Sequence, residues 1–142
     1  RYNSFILGDG SLKEDLERYV SQNNLSSNVK FISFKYNVYD YILSSDYIIM
    51  PSYSESFSLV LAESIYLGKM CIATDTAGAR EVLKNGEYGL IVDNSKDGIK
   101  QGILKVINNP ELKDEYIFRI NRKDYEFSRV NVVKKIFDII NF

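Results

Sequence analysis

An α/β fold built on a parallel sheet with helices on both faces is what this sequence predicts, and three observations predict it. Five short, continuously apolar runs, at residues 3–7, 29–33, 47–50, 70–74 and 89–92, read as strands buried on both faces. Segments with helical periodicity or helix-cap residues separate them. Turn residues follow the strand ends, and in such sheets ligands bind outside the carboxyl ends of the strands. Gly8, Phe34 and Glu55 each follow a strand end, so the pattern alone puts three candidate residues on one edge.

Each element has its own signals. After the first strand, Gly8-Asp9-Gly10 makes a tight turn whose glycines would let a nucleotide approach the backbone; an ordinary turn is the plain alternative. Ser11 with Glu14 reads as a capping box, and Leu12, Leu16, Tyr19 and Val20 mark the apolar face of a helix over 12–22. Asn37 reads as the N-cap of a short helix ending at Ser44, with Asp40 in its first turn and Tyr39 and Tyr41 facing core or a neighbouring helix. Thr76 or Ala77 opens a helix that Gly86 ends, with Arg80 and Glu81 available for local ion pairs. Ser95 caps a helix carrying Ile99, Ile103 and Val106. Asn109-Pro110 starts another with Leu112, Tyr116 and Ile120 on its apolar side. Ser128 caps the last, whose stripe is Val132, Val133, Ile136, Phe137 and Ile140.

Composition removes several functions. A chain of 142 residues, 45% hydrophobic and 26% charged, is long enough for one domain with a real core. The net charge of −1 argues against a general nucleic-acid binder. Histidine is absent, which excludes Ser-His and Cys-His catalysis and His-based zinc sites in this chain. The single cysteine, Cys71, lies in an apolar run, excludes an intrachain disulfide and fits a reducing compartment such as the cytoplasm. No run is long enough to span a bilayer.

The richest stretch is residues 51–68. Small polar residues turn the chain after the third strand, a helix begins with Ser56 or Ser58 as its N-cap, and Gly68 stops it. A helix start behind a parallel strand offers unpaired N–H groups and a positive dipole end, which suit a phosphate. Leu59, Val60, Leu61, Ala62, Ile65 and Leu67 make the helix apolar nearly all round, so it is expected to be buried. Glu55 and Glu63 break the pattern. They are eight positions apart, about 2.2 helical turns, and so would project toward one side. A carboxylate in a buried helix needs a partner, and sugar hydroxyls would serve.

At this point the sequence resembles a family. Glu55, Ser56-Phe57-Ser58-Leu59 and Glu63 are similar to the donor-sugar motif of retaining GT-B glycosyltransferases, the "glycosyl transferases group 1" or family 4 type. Ser56 and Ser58 stand where that family often has glycine; both are tolerated variants, and Ser56 slightly narrows the room for backbone approach to a ligand. The resemblance runs on through Phe31-Ile32-Ser33-Phe34 with Asn37, Ser45-Asp46 and Gly68-Lys69. Gly78-Ala79-Arg80-Glu81-Val82-Leu83 and Gly86-Glu87-Tyr88-Gly89-Leu90-Ile91-Val92 follow in the same order. It is good over residues 4–93 and loose beyond.

The resemblance implies a Rossmann-like donor-binding domain over residues 1–142, the C-terminal domain of a GT-B fold lacking its N-terminal part, with a helical tail over 110–142. It implies an enzyme, a retaining hexosyltransferase. A sugar would pass from a nucleotide-sugar, a UDP-sugar because that donor is common in the family, to a glycan or lipid-linked acceptor in bacterial surface polysaccharide synthesis. Glu55 would hold donor-sugar hydroxyls and stabilise the growing positive charge, Glu63 would bind the ribose, and the N–H groups around Phe57, Ser58 and Leu59 would hold the distal phosphate. Gly8 would lie close to the nucleotide, and Phe34, Lys35 and Tyr36 would contact the base. The nucleotide-sugar is a substrate, and no cofactor or metal is expected. The acceptor would reach the site through the missing domain. The setting would be the cytoplasm, at the inner face of the membrane, with peripheral membrane association of the full-length enzyme. Two other readings stand beside this one: a non-catalytic nucleotide-sugar-binding module, and a GT-B-fold sugar-nucleotide epimerase.

The family's donor domain opens with a strand and a Gly-Arg and Lys-Gly loop that grip the diphosphate, and no such motif occurs here. The chain, which opens with Arg1, is therefore expected to be a piece of a longer protein and inactive by itself. Its strands should lie in the order 29–33, 4–7, 47–50, 70–74, 89–92, with the missing strand between the second and third.

Overall fold

The computed structural model describes residues 2–121. The last expected helix, from Ser128 onward, lies outside the described residues, as does the part of the expected tail beyond Asn121. The strands and helices alternate as expected, all strand pairs are parallel, and the class is α/β and Rossmann-like. The chain divides after Tyr39 into two compact units.

In the first unit, strand β1 (Ser4–Leu7) pairs in parallel with β2 (Val29–Ile32), Leu7 standing opposite Ile32. Helix α1 (Lys13–Gln22) connects them. Two expectations fail here. Ser11 does not cap α1: the N-cap residue is Leu12 and no side chain closes the helix start, because Ser11 belongs to the preceding turn. The apolar runs are not buried either. All of β1 is exposed, and in α1 only Val20 is buried, with Leu12, Leu16 and Tyr19 open. A strand with one neighbour and a single ten-residue helix cannot cover two faces.

In the second unit, α2 (Tyr39–Ser44) leads to a three-stranded sheet in the order β3 (Tyr47–Met50), β4 (Met70–Thr74), β5 (Gly89–Val92). Within each unit the strand order is the expected one. Helix α3 (Leu59–Tyr66) joins β3 to β4, and α4 (Ala77–Val82) with a 3-10 turn at Lys84–Gly86 joins β4 to β5. Helices α5 (Lys96–Asn108) and α6 (Glu111–Asn121) follow. Strand β4 has a partner on each side and is buried throughout. Leu61, Ala62, Ile65, Cys71, Ala73, Ala79, Val82, Leu83, Tyr88 and Ile120 pack as one cluster; Met70, Ile72 and Val106 form another. Thr76 and Ser95 cap α4 and α5, accepting from the N–H groups of Ala79 and Gly98.

Helix α3 is buried on one face only. Leu61, Ala62, Ser64 and Ile65 are enclosed, while Leu59, Val60 and Tyr66 face outward. The all-round apolar pattern overstated its burial, because this helix covers one side of the sheet and, among the described residues, no layer lies behind it at those three positions.

Candidate functional site

The loop between β3 and α3 carries Glu55, and the structure pins it from three directions. Thr74, the last residue of β4, sends its hydroxyl to the carbonyls of Ser52 at 2.5 Å and Met50 at 3.3 Å. Asn94, just past β5, donates its side-chain amide to the Tyr53 carbonyl at 2.8 Å. The N–H of Gly78 in α4 donates to the Glu55 carbonyl at 2.9 Å. At Gly78 the backbones touch: a Cβ there would sit 2.9 Å from Phe57 N and Cα and from the Ser56 carbonyl carbon. Only glycine lets α4 approach this closely. Sequence reading named Gly78 as part of a motif but missed its role, and it missed Thr74 and Asn94 altogether. The usable signal was position, since Thr74 ends a strand and Asn94 immediately follows one.

Ser58, not Ser56, is the N-cap of α3. It is extended and fully buried, accepting from Leu61 N–H at 3.4 Å through its hydroxyl and from Ala62 N–H at 3.0 Å through its carbonyl. The N–H groups of Leu59 and Val60 precede the first of these bonds and form the open start of the helix. Leu59 itself is exposed. Glu55 is half-buried, as is Glu63. Helical phase does not relate the two carboxylates, because α3 begins at Leu59 and the chain at Ser58 is extended. Their eight-residue spacing therefore carries no statement about facing one side.

A bidentate pair joins Arg80 to Asp75 beside this loop, at 2.5 Å for each contact, the local ion pair expected of Arg80. The guanidinium holds the Asp75 carboxyl below its usual range. Cys71 is enclosed in the core as expected, and burial pushes its thiol up to about 12.

The first unit gathers Gly8 and Phe34. Gly8 has φ of +128°, a conformation that suits glycine, and its N–H donates to the Ile32 carbonyl at 2.9 Å. Asp9 then accepts the Phe34 N–H at 2.7 Å. Phe34 can therefore meet a ligand through its carbonyl or its ring, its N–H being engaged. Phe34, Lys35 and Tyr36 are all exposed. Tyr39, expected to face core or a neighbouring helix, is 46% exposed; its N–H donates to the Asn37 side chain at 3.0 Å, but α2 starts at Tyr39, so Asn37 stands one position before the cap site. Open hollows of about 300 Å³ beside Asn28 and about 380 Å³ along β5 and α5 are lined by none of the candidate residues. Glu55, Gly8, Phe34 and Lys35 sit on loops, whereas Leu59 and Glu63 lie in α3. No described helix is long and apolar enough to cross a membrane.

Comparison with known proteins follows the same lines. The family model described as glycosyl transferases group 1 matches residues 1–123. An uncharacterised glycosyltransferase of Methanocaldococcus jannaschii is 33% identical over 115 residues, covering 79% of this chain and 32% of that protein. The N-acetylgalactosamine-N,N'-diacetylbacillosaminyl-diphospho-undecaprenol 4-alpha-N-acetylgalactosaminyltransferase of Campylobacter jejuni is 29% identical over 131 residues, 91% of this chain and 36% of that one. The chain thus spans about a third of the length of these curated relatives. Among solved structures, Anabaena HepE in complex with UDP superposes with a TM-score of 0.81 at 17% identity, over 99% of this chain and 41% of that one. A glycosyltransferase from Rickettsia africae gives a TM-score of 0.82 at 20% identity, over 98% and 39%.

Proposed function

The chain belongs to the glycosyl transferases group 1 family, and from that premise we propose that it is the donor-binding part of a retaining hexosyltransferase acting on a UDP-sugar. The observation that carries the reading is the pinned loop. Glu55 is presented by a backbone held through Thr74, Gly78 and Asn94, directly before an open helix start. A group that must meet developing charge is useful only if it is fixed before the charge appears.

Glu55 holds donor-sugar hydroxyls and stabilises positive charge on the anomeric carbon. The N–H groups of Leu59 and Val60 hold the distal phosphate as it takes up the bonding pair. The bond from the anomeric carbon to the phosphate oxygen breaks, and a bond from that carbon to the acceptor oxygen forms on the same face. The leaving phosphate accepts the acceptor's proton, so the chain needs no general base. Ser56, Phe57 and Ser58 shape the phosphate turn. Glu63 accepts hydrogen bonds from the ribose, Gly8 lies by the nucleotide, and Phe34 and Lys35 contact the base.

Names of relatives support the donor and acceptor classes. Anabaena HepE has also been solved in complex with UDP-glucose, and the Campylobacter relative is named for transfer to a diphospho-undecaprenol-linked sugar. For this protein the reading accordingly assigns a glycan or lipid-linked acceptor, met at the inner face of the membrane in surface polysaccharide synthesis. No metal is required for the phosphate, because helix N–H groups stand in for a cation.

Calorimetric titration of the intact protein with nucleotide-sugars tests the reading. A UDP-sugar should bind, chelator should not abolish binding, and Glu63→Ala should weaken UDP and UDP-sugar alike by about 1–3 kcal/mol. Absence of nucleotide-sugar binding, or full nucleotide affinity in Glu63→Ala, contradicts it.

A further inference from the structure

On the reading that residues 34–36 form the base-contacting loop, we propose that Asp9 is a positioning residue of the donor site: its carboxylate clamps this loop to the turn after β1 and so sets the base preference. The clamp is fully drawn in the structure. One carboxylate oxygen accepts the Phe34 N–H at 2.7 Å, and the other accepts from Lys13 Nζ at 2.7 Å. The same ammonium donates to the Ser33 hydroxyl at 2.9 Å. The turn and the loop are neighbours because Leu7 pairs with Ile32, so both strands end at the same level.

The loop has little else to hold it. Phe34 is exposed and Tyr36 is 99% exposed, their rings meeting edge to face at 5.2 Å. Lys35 is exposed as well. Among the described residues no apolar anchor orders this loop, and the next fixed point is the Asn37 side chain, which accepts from Tyr39 N–H at 3.0 Å. Two charge-assisted bonds to one carboxylate are stronger than neutral ones. Lys13 and the Phe34 N–H hold the Asp9 carboxyl below its usual range, so it stays ionised at neutral pH.

A loop ordered in advance binds its ligand without an entropic cost at that moment. Removing the clamp therefore acts on nucleotide affinity and base preference, and leaves the chemical step alone. A residue that merely supported the fold would lower melting temperature and turnover together, without changing the ratio of affinities for different bases.

The test uses the intact protein and three probes, UDP, GDP and ADP, in calorimetric titration. Wild type should favour one base. Asp9→Ala should reduce that preference by about tenfold, with kcat changing less than about twofold. Asp9→Asn, whose side-chain carbonyl still accepts the Phe34 N–H, should restore most of the preference. A preference intact in Asp9→Ala overturns the inference, and so does one equally lost in Asp9→Asn and Asp9→Ala. If Asp9→Ala does not fold, Lys13→Met replaces it; a loss of about threefold is expected, and an unchanged preference overturns the clamp. Equal wild-type affinity for all three nucleotides overturns the inference and spares the donor-site reading. Failure of wild type to bind any of them overturns both.

Discussion

Ile6 and Ile72 occupy matching places, each inside a short parallel strand of apolar residues. Yet Ile6 is 41% exposed and Ile72 is 0% exposed. The difference lies in what surrounds the strand. Strand β4 has β3 and β5 beside it, and the side chains of α3, α5 and α6 fill in around its residues. Strand β1 has β2 alone, and α1 encloses only Val20. An apolar run thus identifies a strand, whereas burial is a property of the layers around it. The two units also hold their candidate loops differently. The second fixes Glu55 through main-chain contacts backed by a core, and the first fixes Phe34 through an exposed carboxylate.

The contrast breaks or stands most clearly on truncation of matched leucines. Leu61→Ala should cost about 2–5 kcal/mol, since Leu61 is wholly enclosed. Leu16→Ala, on the open face of α1, should cost about 0.5 kcal/mol or less. Denaturant unfolding of the intact protein measures both, and equal losses would mean that the exposed face is covered in solution.

Gly78→Ala should come next. The new methyl meets backbone atoms 2.9 Å away, which cannot rotate aside. About 1–3 kcal/mol of stability should be lost, and turnover should fall further than stability explains because the displaced segment adjoins Glu55. Unaltered turnover would show that the pinned loop is not what presents Glu55.

A smaller effect concerns pH. The Cys71 thiol ionises at about 9 in the unfolded chain and about 12 when folded. Between those values the unfolded state loses its proton first. Stability from this group is therefore full below pH 9 and declines as pH rises toward 12, by at most about 1.4 kcal/mol per pH unit. Comparing Cys71→Ala with wild type isolates the slope from tyrosines such as Tyr116, whose phenol burial also raises. Parallel pH profiles for the two would contradict the enclosed thiol.

Legibility followed the range of the interaction. The strands at 47–50, 70–74 and 89–92 were readable because an apolar run between turn residues is a local signal. So was the cap Ser95, while Ser58 and Thr76 were each one of two choices for a helix start. Ser11 misled because its match to a capping box ignored where the turn ends. Nothing local announces that Asp9 reaches Phe34, 25 positions away, or that Gly78 touches Phe57. Those contacts exist only once strand register and helix packing are set. The candidate residues were therefore readable as types at strand ends, while the groups that hold them in place were not.

The central claim is that Glu55 meets charge in the transition state rather than simply binding donor. The most direct measurement compares Glu55→Gln with wild type in the intact protein, with sugar transfer and donor affinity determined separately. Turnover should fall by about a hundredfold or more, with donor affinity kept within about tenfold. Unchanged turnover, or a loss confined to donor affinity, would remove Glu55 from the chemistry.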